Sequence, residues 1–241
     1  MSGIWLIARR DFSAFVNTWW GCVILSLTLL IDGLLFQVKG MSATPRYSAE
    51  VLSDFFLLTG GVVLIAGVFT TMRLFAEERQ TGTMVLLESS PLSETQAVLG
   101  KYLSGLMFLT VLLVLTTYMP AMIFVNGKVS PEQIAVGYFG TFLMGAAGIA
   151  IGTWASAISR NQLLSLVIAA VITVFFVVSW MLSRVLDPPF KDLIAYVAFF
   201  DKQLAPFEEG RINTEGVVFF VSVSFAFLLL ATRSLVARRW E

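Results

Sequence analysis

Apolar positions along the chain fall in long blocks and not at a two-residue period. Runs at roughly 19–38, 55–74, 102–125, 134–158, 163–182 and 217–235 carry almost no charge. About twenty such residues are needed for an α-helix to cross the hydrocarbon of a bilayer, so each run is read as a span. Residues 1–16 differ. Ile4, Trp5, Ala8, Phe12 and Phe15 recur at helical spacing, with Arg9, Arg10, Asp11 and Ser13 between them. That pattern predicts an amphipathic helix in the membrane interface, with Trp5 at headgroup depth. In the connection 184–214, Asp187-Pro188-Pro189 ends the fifth span. Leu193, Ile194, Tyr196, Val197, Phe199 and Phe200 then form a run too short to cross, expected to lie on or dip into the outer leaflet.

The polar segment 75–101 is organised differently from a slack loop. Gly82 breaks one helix, and Ser90-Pro91 ends the next piece. Between them Thr83 to Ser89 reads as a short helix carrying Met84, Leu86 and Leu87. Ser93 and Gln96 have the spacing of a capping box, with Glu94 at the positive end of a new helix. Pro120 is expected to kink the third span. In the fourth span Gly148 and Gly152 form a G-x-x-x-G pair, a sign of close helix approach either within one chain or between two. The fold class is therefore all-α: a polytopic membrane protein forming one transmembrane domain over 1–241. It has six spans, an N-terminal interfacial helix, a short helix between spans two and three, and a helical outer segment between spans five and six.

Composition agrees. The chain is 57% hydrophobic and only 13% charged, about half the charge of a soluble domain. Net charge is zero, which offers nothing to nucleic acid. With no histidine and a single cysteine, Cys22, neither an internal disulfide nor a histidine or multi-cysteine metal site can form. The first apolar run is too long for a signal-peptide core and lacks a small-residue cleavage site. Six spans put both termini on one side. The larger share of Lys and Arg, including Arg9, Arg10, Arg73, Arg79 and Lys101, lies there, so the termini and 75–101 are expected in the cytoplasm.

Candidate chemistry is sparse. Asp32 is an ionisable residue inside a span and so a functional candidate, either for an ion or proton path or as a helix cap reaching interfacial water. The cap is favoured because no cation is visible at its depth. Gly100-Lys101 resembles the end of a phosphate loop, but Thr95 and Tyr102 stand where glycine and serine or threonine are required. Glu77-Glu78 has no histidine, metal set or nucleophile beside it for acid–base work.

Glu77-Glu78-Arg79-Gln80-Thr81-Gly82-Thr83, Leu86-Leu87, Ser90-Pro91-Leu92-Ser93 and Val98-Leu99-Gly100-Lys101 together resemble the signature of ABC type-2 exporter permeases. Ile7-Ala8-Arg9-Arg10-Asp11-Phe12, residues 207–220 and Arg238-Arg239-Trp240 are similar to the gliding-motility and nitrous-oxide-reductase-maturation branch. Asp11 stands where that branch usually has glutamate, Asn17-Thr18 replaces a Ser-Pro start, and Glu209-Gly210-Arg211 replaces Arg-Gly-Val.

The resemblance implies a non-catalytic permease subunit in the bacterial inner membrane. It implies pairing with a second permease, identical or related, and with a separate ABC ATPase that binds ATP and Mg. The chain itself would hold no cofactor. A further membrane subunit with a periplasmic part is implied by the most similar layout. Thr83 to Ser89 would be the coupling helix seated on the ATPase. Glu77, Glu78 and Arg79 would orient that contact, Met84, Leu86 and Leu87 would grip it, and Gly82 and Pro91 would limit bending. The helix carrying Trp5, Arg9, Arg10 and Phe12 would pack beside it and against lipid. The alternative expectation is a membrane anchor that recruits an ATPase to a surface machine and transports nothing.

Overall fold

The structure, a computed structural model, describes residues 3–40, 47–85, 92–126, 130–185, 187 and 190–238. Its helices are α1 (Gly3–Val16), α2 (Trp19–Gly40), α3 (Ser48–Thr71), α4 (Ala76–Gln80), α5 (Glu94–Thr116), α6 (Tyr118–Asn126), α7 (Pro131–Ile158), α8 (Gln162–Val185), α9 (Phe190–Val197), a π-helical turn (Phe199–Leu204), α10 (Ala205–Glu208) and α11 (Thr214–Arg238). Among the described residues, six stretches are long and apolar enough to cross a membrane: Trp19–Lys39, Ser48–Gln80, Glu94–Ile123, Pro131–Ile158, Gln162–Val185 and Thr214–Ala237. The chain is an all-α, multi-pass membrane protein, as expected from its apolar blocks.

The helix ends follow local chemistry. Ser93 Oγ accepts from the Gln96 N–H at 3.3 Å, and Gln96 Oε1 accepts from the Ser93 N–H at 3.2 Å, so the capping box forms. Ser130 caps α7, with Pro131 in its first turn. Pro120 has no N–H for the carbonyl of Thr116, and the third span divides at Thr117 into α5 and α6. α3 begins at Ser48, well before the apolar run at 55. Glu50 in its first turn favours the helix dipole, so polar residues extend the helix outward.

α7 is the hub, packed against α3, α5, α8 and α11. Within lipid there is little hydrophobic drive between helices, so close van der Waals fit must hold them. Small residues supply it. A Cβ at Gly148 would come within 2.7 Å of Leu64, and one at Gly152 would collide with the hydroxyl of Thr71. The G-x-x-x-G pair is therefore used inside the chain, against α3. By contrast α2 and α8 are peripheral, with only 28% and 22% of their spans buried.

The segment after α9 dips inward and does not lie flat. Phe199, Leu204 and Phe207 are fully buried. The ring of Phe199 meets those of Phe176 at 4.7 Å, Phe220 at 5.5 Å and Phe219 at 6.0 Å. Gln133 of α7 fastens this segment to the start of α3, its Nε2 donating to the carbonyls of Glu208 at 3.0 Å and Ala49 at 3.3 Å.

Candidate functional site

The polar face that includes α1, α4 and the start of α5 is built around Lys101. This lysine sits in the second turn of α5, and its side chain is 3% exposed. An ammonium that deep needs acceptors. Nζ lies 2.9 Å from Glu78 Oε1 and 3.1 Å from Asp11 Oδ2, and it donates to the Leu74 carbonyl at 2.5 Å. The ring of Phe75 lies 5.0 Å from the same nitrogen. Arg10 closes the cluster, with Nη2 3.0 Å from Glu78 Oε1 and Nε 2.8 Å from Asp11 Oδ1. Partial burial lowers the affinity of its guanidinium for a proton, but Asp11 and Glu78 outweigh that and leave its pKa above the usual value. One cluster thus joins α1, α4 and α5.

A second set of bonds fixes the turn between α3 and α4. Ser156 Oγ, near the end of α7, accepts from the backbone N–H groups of Phe75 at 2.9 Å and Ala76 at 3.0 Å. These are the donors that the start of α4 leaves without helical partners, so Ser156 serves as a cap borrowed from another helix. Arg79 Nη1 donates to the Ser159 carbonyl at 2.6 Å. Arg73 grips Glu77 through both carboxylate oxygens. A cleft of about 390 Å³ opens beside these groups, lined by Arg10, Asp11, Arg73, Glu77, Glu78, Thr83 and Lys101 among others. Glu78 Oε2 is buried with no hydrogen-bond partner among the described residues.

The charged residues singled out from the sequence therefore have internal partners. Glu77 holds Arg73, Glu78 holds Lys101 and Arg10, and Arg79 holds the end of α7. Gly82 adopts φ +73°, the left-handed conformation that lets the chain leave α4. Thr83 is exposed, and its Oγ1 donates to the Glu78 carbonyl at 3.3 Å. Met84 packs against the cluster of Leu74, Phe75, Val98 and Leu235. Leu86, Leu87 and Pro91 lie outside the described residues, as does most of the expected helix from Thr83 to Ser89.

On α1, Trp5 and Arg9 are exposed, while Phe12 and Phe15 pack against the core that contains Phe108 and Leu109. Gly100 admits this contact, because a Cβ there would lie 2.8 Å from Ile7. Asp32 stands apart from this face. It is 2% exposed and accepts a hydrogen bond from Thr59 Oγ1 at 3.1 Å.

The sequence pattern does not mark Asp11, Ser156 or Ser159 as site residues, and it marks Lys101 only within the Gly100-Lys101 motif. One signal was present: Lys101 is a charged residue a full turn inside a capped helix, where an apolar residue is expected.

None of the curated proteins matches the chain. The description "ABC-2 family transporter protein" matches residues 22–201, from the start of the first span into the segment that follows α9. That stretch contains all but the first three residues of α2, the whole of α3 to α9, the α3–α4 turn pinned by Ser156, and Lys101, but it leaves out α1, α10 and α11. The chain belongs to the ABC-2 transporter family and is a membrane permease component of an ABC transporter.

Proposed function

We propose that this permease is driven by a separate ABC ATPase docked on the face that carries α1, α4 and the residues after Gly82, and that it exports its substrate. Family membership implies the ATPase partner. The observation that carries the mechanical reading is the buried Lys101 cluster. It ties α1, α4 and α5 together, while Ser156 and Arg79 tie α4 to α7. A force applied at residues 82–91 then reaches the third and fourth spans through hydrogen-bonded contacts and not through a slack loop. Val85 is 65% exposed beside this assembly, an apolar residue suited to a docking groove.

In this reading residues 83–89 form the coupling helix, with Met84, Leu86 and Leu87 as its grip and Gly82 and Pro91 at its ends. Glu77, Glu78 and Arg79 act mainly by keeping its base rigid. The ATPase binds ATP and Mg, its closure moves the coupling helix, and spans two and three transmit the shift. The docking face is cytoplasmic, the membrane is the bacterial inner membrane, and a second permease completes the complex. The branch concerned with gliding motility and nitrous-oxide-reductase maturation is our placement within the family, with a third membrane subunit as its corollary.

The test is the paired substitution Gly82→Pro with Leu87→Asp. The variant is expected to insert normally and to lose co-purification of the ATPase. Retention of the ATPase in normal amount would refute the docking assignment.

A further inference from the structure

Asp32 is used by neither the docking face nor the packing core. It lies in the first span with its side chain turned toward α3. Thr59 Oγ1 donates to Oδ1 at 3.1 Å, and Oδ2 has no hydrogen-bond partner among the described residues. An ionised carboxylate accepts hydrogen bonds only, and one hydroxyl is poor compensation for a negative charge within hydrocarbon. A carboxylic acid resolves the mismatch. Its carbonyl oxygen takes the Thr59 hydroxyl, and its O–H is free to donate.

There is a place for that donation. A small void between α2 and α3 is lined by Asp32, Thr59, Val51 and Lys39. It offers about 10 Å³ to the centre of a water, the threshold for holding one molecule. Lys39 is exposed at the end of α2 away from α1, so the void leads from Asp32 toward the membrane face opposite the docking site. The other ionisable neighbours are hydroxyls. Tyr118 of α6 approaches Gly33, and Tyr138 of α7, which shares a hydrogen bond with Thr116 at 3.3 Å, lies within electrostatic range of Asp32. The α3 residues that line the void are not ionisable.

We propose that Asp32 is a proton-binding site, its Oδ2–H donating to one water in this void. Release breaks only that O–H bond. The proton leaves on the water toward the Lys39 end, and the carboxylate keeps its hydrogen bond from Thr59. The Thr59–Asp32 bond joins the peripheral α2 to α3, the span that continues into α4, so loading and unloading bear on how these two helices hold together.

The site is tested without the ATPase, which separates its failure from that of the docking assignment. Full-length protein in liposomes is treated with dicyclohexylcarbodiimide, which reacts with protonated carboxyls in apolar surroundings, and adducts are located by mass spectrometry. Infrared spectra of the same samples are recorded across pH. The expected result is an adduct at Asp32 at mildly acidic pH, falling about tenfold per unit once pH exceeds the pKa of the group. A protonated-carboxyl stretching band should be present and should vanish in Asp32→Asn. In Thr59→Val that band should persist at higher frequency, because its carbonyl has lost a donor. A spectrum at mildly acidic pH in which Asp32→Asn removes a carboxylate band, with no adduct at Asp32, would overturn the proposal.

Discussion

Replacing Lys101 by methionine keeps most of its volume and removes its charge. Four contacts disappear with the ammonium: the polar ones to Glu78, Asp11 and the Leu74 carbonyl, and the one to the ring of Phe75. Asp11 and Glu78 remain with side chains only 15% and 20% exposed. Removing one partner of a buried ion pair costs about 3–5 kcal/mol, because the other charge is left uncompensated. Arg10 still faces both carboxylates, which places the loss near about 3 kcal/mol. That energy holds α1 and α4 against α5, so hydrogen exchange is the suitable assay. Amides of α1 should exchange about 100-fold faster in Lys101→Met, at about 1.4 kcal/mol per decade. Adding Glu78→Gln should restore part of the protection, since a neutral cluster carries a smaller penalty. Unchanged α1 protection in Lys101→Met, or a further loss of protection on adding the second substitution, would refute the role given to this cluster.

Two further substitutions test packing and pH dependence. Gly152→Val should cost about 1–3 kcal/mol in detergent unfolding, because its Cβ would meet Thr71 on a packed helix face. Gly61→Ala, with nothing within 4 Å of the new methyl, should cost nothing. Glu208 is buried, and burial, opposed by Ser53 and reinforced by Asp54 and Glu209, pushes its carboxyl from 4.5 up to about 7. The folded state therefore prefers the protonated acid. Its stability contribution is full below the unfolded value and declines as pH rises through about 7, by on the order of 3 kcal/mol. Unfolding measured across that window should show the decline, and Glu208→Gln should flatten it.

The features that could be read along the chain are those written in neighbouring residues. The apolar blocks, the Ser93–Gln96 capping box, the left-handed Gly82 and the break before Pro120 each depend on residues a few positions apart. The Lys101 cluster depends on partners 90 residues away at Asp11 and 23 residues away at Glu78, which no local pattern brings together. The sequence leaves the segment after the fifth span either lying on or dipping into the outer leaflet, and it does not tell that Phe199, Leu204 and Phe207 turn into the core. In a membrane protein a phenylalanine facing lipid and one facing the core look alike in hydropathy. Here the small residues opposite, Gly140 and Gly216 against Phe207, decide which way it turns. The expected coupling helix, Thr83 to Ser89, belongs to the most specific sequence pattern, and its Leu86 and Leu87, like Pro91 beyond it, lie outside the described residues.

Docking at the Gly82 face can be measured directly by cross-linking. In a Cys22→Ser background, one cysteine is placed at Val85, exposed beside the Lys101 cluster, and in a second variant at Lys39, at the far end of α2. Each permease is expressed with its ATPase and treated with a short bifunctional thiol reagent in native membranes. The expected result is a permease–ATPase adduct from Val85→Cys, altered in yield by ATP, and none from Lys39→Cys. An ATPase that co-purifies with both variants yet cross-links to neither, or only to Lys39→Cys, would contradict docking at this face.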